Sequence, residues 1–259
     1  MKTLTIIPSR LSATRLPGKP LLKINNLSII SHVFKKAKEA NIGDVFVAAE
    51  DKEIFDDVTR NGGNAILTSK NHKTGTDRIF EAFQKLNLPN IDLIMNLQGD
   101  EPAINIEDIV NLNKKMIDNQ SEIGTLAAKI EDLKDFENKN IVKVVTRDSL
   151  EFNEFPEAKT FVRDSSEINN TYHHIGIYCY SVSALKKFVE LDQTKNELHN
   201  KLEQLRALDN NININVALAN SSPIGVDTQE DYLALKKIME YKAEWVEFIF
   251  KEPLERTLI

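Results

Sequence analysis

The chain has 259 residues, and its 33 basic and 39 acidic residues give a net charge of −6 at pH 7. Proteins that bind nucleic acids or anionic membranes through general electrostatics usually carry a basic surface, so this acidic balance disfavours both classes. The single cysteine, Cys179, excludes an intramolecular disulfide framework and a metal site built on clustered cysteines, and it fits a reducing compartment.

No segment carries the signature of export or of membrane insertion. The opening MKTLTIIPSR has one lysine and an apolar stretch too short for a signal-peptide core. No apolar run approaches the roughly 18 residues that a membrane helix requires. We therefore expect a cytoplasmic protein that makes no stable membrane insertion.

Short apolar runs alternate with helical periodicity through the first half of the chain. Strands are predicted at residues 4–7, 45–48, 65–67 and 93–97. Apolar residues at helical spacing predict the intervening helices at 29–37, 54–58 and 79–86, with Asp51 in position to cap the second. This alternation predicts an α/β fold with a mostly parallel central sheet and helices on both faces.

The second half is less regular. Strands are predicted at 126–130, 142–145, 172–180 and 212–219, and helices at 185–191, 198–208 and 232–250. No repeat, low-complexity block or Pro/Gly/Ser linker divides the chain, so we expect one domain over residues 1–259.

The loop after the first strand, residues 8–20, carries three cations, three hydroxyls and one glycine. Ligands of open α/β sheets bind beyond the carboxyl ends of the strands, where such a loop suits a polyphosphate. A merely solvated basic loop is an equally open interpretation. Because the spacing is neither GxGxxG nor GxxxxGK[ST], a standard dinucleotide fingerprint and a Walker A loop are ruled out.

Two aspartates each come shortly after an apolar run of the chain. Asp100 comes after the strand at 93–97 and stands beside Gln98 and Glu101, in a setting that suits Mg²⁺; the alternative is a cap on the following helix. Asp227 directly follows the short apolar run at 224–226. Its alternative role is in a capping box with Glu230.

Three further polar groups have ordinary structural interpretations. The stretch 74–77 resembles a capped helix start. His173 and His174 lie on a strand, so their side chains should point to opposite faces. Glu203, Gln204 and Arg206 lie on the polar side of an amphipathic helix and would ordinarily form a solvated charged face, and Cys179 is interpreted as packing.

Six blocks of the chain together carry a family resemblance. IPSRLSATRLPGKPL (7–21) resembles the nucleotide-binding signature of sugar nucleotidyltransferases, and more narrowly of the cytidylyltransferases that activate 3-deoxy-D-manno-octulosonate (Kdo). Five more blocks are similar to that narrower family in the same order: Thr68 with TGTDR (74–78), NLQGDEP (96–102), HIGIY (174–178), LEQLRAL (202–208) and GVDT (225–228).

The resemblance implies a nucleotide-diphospho-sugar transferase (Rossmann-like) fold. It also implies transfer of CMP from CTP to Kdo, or to a modified Kdo such as the 8-amino form, for lipopolysaccharide synthesis, with Mg²⁺ as the cofactor. The family is typically homodimeric, and a subregion at about 125–212 would serve sugar-acid binding and dimerisation. No nucleic acid is implied as a partner.

Residue by residue, the resemblance assigns roles in three groups. The catalytic group is Arg10, Lys19, Asp100 and Asp227, of which Asp100 and Asp227 match the Mg²⁺ ligands. The nucleotide-binding group is Pro8, Ser9, Arg10, Arg15, Lys19, Thr68, Thr74, Gly75, Thr76, Arg78, Gln98 and Gly99, with Arg78 over or beside the base. The sugar-acid group is Gln98, His174, Tyr178, Glu203, Gln204 and Glu154.

One segment departs from the family pattern. Where the family usually has a run close to ALYFSR, this chain has SLEFNE (149–154), which puts Glu154 in place of an arginine. A carboxylate repels the carboxylate of a simple sugar acid, so the exchange predicts a modified substrate such as an amino-substituted octulosonate.

Two other functions remain open. One is a cytidylyltransferase for another ulosonic or nonulosonic acid, which the HIGIY and LEQLRAL blocks disfavour. The other is a catalytically silent nucleotide-binding homologue, which the joint presence of Arg10, Lys19, Asp100 and Asp227 disfavours.

Overall fold

A computed structural model describes residues 1–12, 15–165, 168–222 and 225–251, with side chains described as far as residue 241. Residues 13 and 14 of the cationic loop and residue 224 of the run before Asp227 lie outside the described residues. None of the described helices is long and apolar enough to cross a membrane.

The described residues form strands and helices that alternate along the chain. The strands are β1 (Thr3–Ser9), β2 (Lys23–Ile24), β3 (Leu27–Ser28), β4 (Gly43–Ala49), β5 (Ala65–Leu67), β6 (Leu93–Asn96), β7 (Ile123–Ala128), β8 (Lys143–Thr146), β9 (Ala158–Val162), β10 (Thr171–Ser181) and β11 (Ile214–Leu218). The helices are α1 (Ile29–Glu39), α2 (Lys52–Arg60), α3 (Gly75–Leu86), α4 (Ile106–Asn119), α5 (Lys134–Glu137), α6 (Val182–Glu190), α7 (Lys195–Asn200), α8 (Leu205–Asp209) and α9 (Gln229–Lys251), with a short 3₁₀ helix at Lys19–Leu21.

The main sheet has the strand order β11-β7-β10-β6-β1-β4-β5, and β8 and β9 extend it beside β10. The pairs β11–β7, β6–β1, β1–β4 and β4–β5 are parallel, whereas β10 is antiparallel to β6 and β7. The mostly parallel sheet is therefore confirmed. Since β6 and β7 are both antiparallel to β10, they run in the same direction, and the carboxyl ends of all the parallel strands meet at one edge.

Helices cover both faces of the sheet, as predicted. Alternate residues of β1 enter two separate cores, Leu4 and Ile6 on one face and Ile7 on the other. Side chains of α1, α2 and α4 complete the core around Ile7, and those of α3, α6 and α8 complete the other.

A third, smaller core anchors the cationic loop. Leu16 and Ile24 pack with Val226 and Tyr232, and the Tyr232 hydroxyl donates a 2.7 Å hydrogen bond to the carbonyl of Lys23. The segment after β1 is thereby tied to the start of α9, although more than 200 residues separate them in the chain.

The prediction of one helix at 198–208 is wrong. The chain forms two short helices, and Lys201 between them adopts a left-handed conformation with φ 54° and ψ 46°. A capping box of Thr194 and Glu197 starts α7, and Glu197 then pairs with Arg206 of α8. This pairing requires the chain to turn between the two helices.

Other details also differ from the sequence predictions, among them the short strands β2, β3 and β9, which were not predicted. Helix α4, which begins after its cap Asn105, was not predicted. Asp51 does stand at the N-cap position of α2, but its carboxylate accepts the backbone N–H of Leu11 at 2.8 Å and makes no cap hydrogen bond. Asp51 therefore holds the loop after β1 in place.

Candidate active site

A cavity of about 290 Å³ opens at the carboxyl edge of the sheet, between the ends of β1 and β6 and the start of α3. It is lined by Pro8, Ser9, Arg10, Lys19, Pro20, His72, Lys73, Thr74, Gly75, Arg78, Gln98, Gly99 and Asp100. Nine of the twelve residues predicted to bind the nucleotide are among them; Arg15, Thr68 and Thr76 are not. The lining carries several cations, which suits a polyphosphate.

Close backbone packing shapes this cavity. A Cβ atom on Gly99 would lie 3.0 Å from the carbonyl oxygen of Pro8 and 3.1 Å from Cδ1 of Ile30. Glycine therefore allows the loop after β6 to lie against the loop after β1.

Two carboxylates converge on one lysine at the mouth of the cavity. The Lys19 ammonium lies 2.7 Å from Asp100 Oδ2 and 3.2 Å from Asp227 Oδ1, and Arg15 pairs with the other Asp227 oxygen at 2.9 Å. A backbone hydrogen bond from Val226 to the carbonyl of Asp100, 3.0 Å long, brings the two aspartates together.

Neither aspartate takes the structural alternative suggested by its sequence. Helix α4 is capped by Asn105 rather than by Asp100. Asp231, not Asp227, accepts the backbone N–H groups of Asp227 and Thr228, and its own N–H is accepted by the Thr228 hydroxyl. Both carboxylates are thus free of capping roles.

The residues present fit a magnesium ion. Within the described residues no group of three His, Cys, Asp or Glu side chains is arranged to hold a metal. Mg²⁺ is typically held by only one or two carboxylates together with substrate phosphates, and Asp100 and Asp227 already share one cation beside the cationic loop.

Glu101 was not predicted as a site residue, yet it lies beside this pair. Its Oε2 atom is buried and has no hydrogen-bond partner among the described residues. Burial, reinforced by the charges of Asp100 and Asp227, raises the pKa of Glu101 to about 8. Its position next to Asp100 was the available signal in the sequence.

The start of α3 forms one wall of the cavity. Thr74 and Asp77 make a reciprocal capping box, so the structural interpretation of this stretch is confirmed, and Gly75 still lines the cavity. Arg78 is buried rather than lying open over the cavity. It donates to the Thr68 hydroxyl at 2.7 Å and the Ser69 carbonyl at 3.0 Å, and it pairs with Glu50.

A second, smaller cavity of about 50 Å³ adjoins the first, and Gln98 lines both. Its lining consists of Thr76, Asn96, Gln98, Tyr178, Tyr180, Phe188, Glu203 and Gln204. Four of the six residues predicted to bind the sugar acid are in this set; His174 and Glu154 are not. Gln98 is held by a 2.9 Å hydrogen bond from its amide to the carbonyl of Gly176.

Three polar atoms of this cavity are buried without a hydrogen-bond partner among the described residues. They are Asn96 Oδ1, the Tyr178 hydroxyl and Glu203 Oε1. Glu203 Oε1 lies 3.9 Å from the guanidinium of Arg206, which leaves the atoms of Asn96 and Tyr178 without a partner of either kind. Buried polar atoms in folded proteins are nearly always paired, so these two atoms indicate a polar ligand. Burial also raises the pKa values of Tyr178 and Glu203.

The two histidines of β10 point to opposite faces, as predicted. His173 lies 3.0 Å from the Ser222 hydroxyl, whereas His174 contacts Thr125 at 3.1 Å and packs edge-on against Phe161. The His174 ring centroid is 5.5 Å from that of Tyr178, a residue that lines the second cavity.

Arg206 is not part of a solvated face; that expectation was wrong. Its side chain is only 4% exposed and forms a bidentate pair with Glu197, at 2.8 and 2.6 Å. The guanidinium lies 4.7 Å from the ring centroid of Phe188 and 3.9 Å from Glu203. The ion pair therefore lies against Phe188 and Glu203, two residues that line the second cavity.

The structure does not bring Glu154 to either cavity. Its side chain is 82% exposed and forms an ion pair with Lys115 of α4. Other lining residues were missed by the sequence analysis: His72 and Lys73 immediately precede the TGTDR block, and Asn96 ends the apolar strand β6. The sequence signalled His72 and Lys73 only by their nearness to that block, and Asn96 by its place as the first residue of the NLQGDEP block.

Comparison with known proteins places this geometry among nucleotidyltransferases. A family model described as Cytidylyltransferase matches residues 4–214. The 3-deoxy-manno-octulosonate cytidylyltransferase of Thermodesulfovibrio yellowstonii is 44% identical over 251 residues, covering 92% of this chain and 98% of that protein. That of Afipia carboxidovorans is 41% identical over 248 residues, covering 93% and 98%.

Solved structures agree. A CMP:2-keto-3-deoxy-manno-octonic acid synthetase complexed with CTP superposes with a TM-score of 0.85 at 32% identity, over 93% of this chain and 100% of that one. A UDP-glucose pyrophosphorylase complexed with UDP-glucose superposes with a TM-score of 0.71 at 14% identity, over 93% and 100% of the two chains, which shows the shared fold alone.

Proposed function

This chain belongs to the 3-deoxy-manno-octulosonate cytidylyltransferase family, and we propose that it transfers CMP from CTP to the anomeric hydroxyl of a 3-deoxy-octulosonic acid for lipopolysaccharide synthesis. The observation that carries the proposal is the pair of adjoining cavities joined at Gln98. One is rich in cations and the other in unpartnered polar atoms.

The larger cavity would receive the nucleotide. Arg10, Lys19 and Lys73 offer positive charge to the triphosphate, and the wall at 74–78 would face the pyrimidine and ribose. Buried Arg78 would hold that wall in place through Thr68 and Glu50. A purine would need more room beside this wall than a pyrimidine does.

The smaller cavity would receive the sugar acid. Glu203 and Asn96 offer oxygens that accept hydrogen bonds from sugar hydroxyls, and the Tyr178 hydroxyl can donate or accept. Gln98 stands between the two cavities, where the reacting atoms must meet. A volume of about 50 Å³ is smaller than a sugar acid, so the side chains around this cavity must move apart when a sugar enters.

The reaction joins the anomeric oxygen to the α-phosphorus of CTP. The bond from that phosphorus to the bridging oxygen of the β-phosphate breaks, pyrophosphate leaves, and the hydroxyl proton is released. Asp100 and Asp227 would hold Mg²⁺, which when bound would supply charge neutralisation and Lewis acidity at the reacting groups. Arg10 and Lys19 would stabilise the charge that develops on the departing pyrophosphate, so positioning and electrostatics carry the rate.

Pyrophosphate release with Mg²⁺, each of the four nucleoside triphosphates and a panel of sugar acids tests the proposal. We expect release only with CTP, and with Kdo or its 8-amino form ahead of a nonulosonate. Comparable release from purine nucleotides contradicts the nucleotide assignment, and preference for a nonulosonate contradicts the sugar assignment. Binding of CTP without release from any sugar acid would favour the catalytically silent homologue.

The resemblance also leads us to propose a homodimer that works in the cytoplasm, with residues of about 125–212 contributing to its interface. Sedimentation of the purified chain tests the dimer.

A further inference from the structure

The chain between β5 and α3 forms part of the rim of the larger cavity. We call residues 69–73 the rim segment; two of them, His72 and Lys73, line the cavity. The rim segment belongs to no helix or strand. Its shape therefore depends on hydrogen bonds that tie it to the elements on either side.

Glu81, in the second turn of α3, makes the main ties to this segment. Its Oε2 atom accepts the backbone N–H of Ser69 at 2.8 Å and also contacts Nε2 of His72. The other carboxylate oxygen pairs with the ammonium of Lys85 at 2.6 Å. The Ser69 hydroxyl in turn accepts the N–H of Asn71 at 3.1 Å. Glu81 thus fixes the rim segment to α3 at two points.

The proton in the contact between His72 and Glu81 can be placed. Burial alone would raise the pKa of Glu81, but hydrogen bonds from His72, Lys85 and Ser69 lower it to about 2, so the carboxyl group is ionised at pH 7. A carboxylate can only accept, so Nε2 of His72 must carry the proton. In the described part of the chain no hydrogen bond engages Nδ1. The side chain is 19% exposed and lines the cavity, so a ligand there can reach it.

The anchoring of His72 indicates which part of a nucleotide it meets. Its ring is held alongside α3, and the cap Thr74 and first residue Gly75 of that helix also line the cavity. Lys19, by contrast, is held at Asp100, where phosphates and a metal ion would lie. The part of the nucleotide beside His72 is therefore the nucleoside.

We propose that Glu81 is a positioning residue that fixes the ring of His72 at the larger cavity, where His72 contacts the nucleoside part of the bound nucleotide. His72 then adds to the affinity for a cytidine nucleotide whatever the number of its phosphates. The identity of the ligand rests on the proposed function; the contact between Glu81 and His72 does not.

Titration calorimetry with CMP and with CTP locates the contact. His72→Ala should weaken the binding of both nucleotides about threefold to tenfold, the effect of one lost hydrogen bond. His199→Ala, which removes an exposed histidine of α7, is the matched control and should bind both as the wild type does. A loss with CTP alone would place His72 at the outer phosphates and overturn the proposal, as would unchanged binding of both nucleotides.

A double-mutant cycle separates positioning from folding. Because Glu81 acts through His72, Glu81→Ala should weaken CMP binding about as much as His72→Ala does, and the double variant little more than either. Glu81→Gln keeps one oxygen acceptor and should lie between Glu81→Ala and wild type, whereas Glu53→Gln on the exposed side of α2 should match wild type. The KM for the sugar acid should stay within twofold in every variant. Additive losses would contradict the proposal.

Nitrogen NMR of the nucleotide-free wild-type protein labelled with ¹⁵N-histidine reads the proton on His72 directly. The chain has five histidines, and His72→Ala assigns the signal by its disappearance. At pH 7 we expect a proton on Nε2, and an unprotonated Nε2 overturns the proposal even if a Glu81 variant fails to fold. If the wild-type protein binds neither CMP nor CTP, the proposed function fails and with it the ligand assigned to His72. The spectrum still decides whether Glu81 positions the ring.

Discussion

The ammonium nitrogen of Lys19 lies 2.7 Å from a carboxylate oxygen of Asp100, and the lysine side chain is only 12% exposed. The same ammonium also reaches Asp227 at 3.2 Å. Lys19 thus holds together two carboxylates that are 127 residues apart in the chain (227 − 100). It occupies the position where we propose that they bind Mg²⁺, so lysine and metal compete for the same oxygens.

Lys19→Met should therefore change two measurements in opposite directions. Turnover should fall about 100-fold or more, because a charge on the leaving group loses its partner. Binding of Mg²⁺ to the substrate-free protein, followed by calorimetry, should tighten several-fold, because the competing cation is gone. Lys23→Met, which removes an exposed lysine from the nearby strand β2, is the matched control. Unchanged or weaker Mg²⁺ binding in Lys19→Met would argue against competition.

Asp100→Asn should abolish transfer and leave the fold intact, since the strand beneath it is unaltered and α4 is capped by Asn105. We expect a loss of about 100-fold or more in turnover, with a melting temperature within a few degrees of wild type. Asp118→Asn, on the exposed side of α4, should behave as wild type. Near-normal turnover of Asp100→Asn at saturating Mg²⁺ would exclude the metal role.

The buried pair of Glu197 and Arg206 predicts strong non-additivity. Arg206→Met leaves the Glu197 carboxylate buried without its partner and should lower the free energy of unfolding by about 3–5 kcal/mol. Replacing both residues with methionine removes the uncompensated charge, so most of that loss should be recovered. Urea unfolding of the single and double variants measures the coupling, and additive losses would contradict it.

The lowered pKa of His174 predicts how the free energy of unfolding changes with pH. Its pKa is lowered in the folded protein, from 6.5 to about 3, by burial and by His173. The unfolded chain therefore binds the extra proton first, and stability is lost as the pH falls through this window, by up to about 1.4 kcal/mol per pH unit. His174→Gln should flatten the decline between pH 6.5 and pH 4, whereas His199→Gln, which replaces an exposed histidine, should not. An unchanged slope in His174→Gln would contradict the neutral buried ring.

Replacing Glu154 tests whether this carboxylate, which stands where the family has an arginine, selects a modified sugar acid. If its carboxylate meets the substrate, Glu154→Arg should raise kcat/KM for Kdo relative to the 8-amino analogue. Its exposed position, paired with Lys115 and outside both cavities, leads us to expect an unchanged ratio instead. A competition assay with both sugars at low and high salt distinguishes the two. A salt-sensitive change in the ratio would show that the segment closes over the substrate.

Local patterns in the sequence determined most of the secondary structure. Residues such as Ile30, Val33 and Ala37 recur at the period of a helix and all become buried, because one face of each element must enter a core. The same local information placed Gln98 and Asp100 at the end of a strand, where the parallel sheet collects the loops that form the site.

Contacts between distant residues decided what the sequence analysis missed. The break between the helices at Lys201 follows from the pairing of Glu197 with Arg206. The spacing of apolar residues does not reveal such an ion pair. The orphaned atoms of Asn96 and Tyr178 acquire meaning only when two strands meet around one cavity. The family resemblance placed the Glu154 carboxylate near an anionic substrate, but its partner Lys115 lies on a helix that was not predicted. Periodicity reports which face of an element is buried, whereas charge pairing and cavity shape depend on which elements the sheet places side by side.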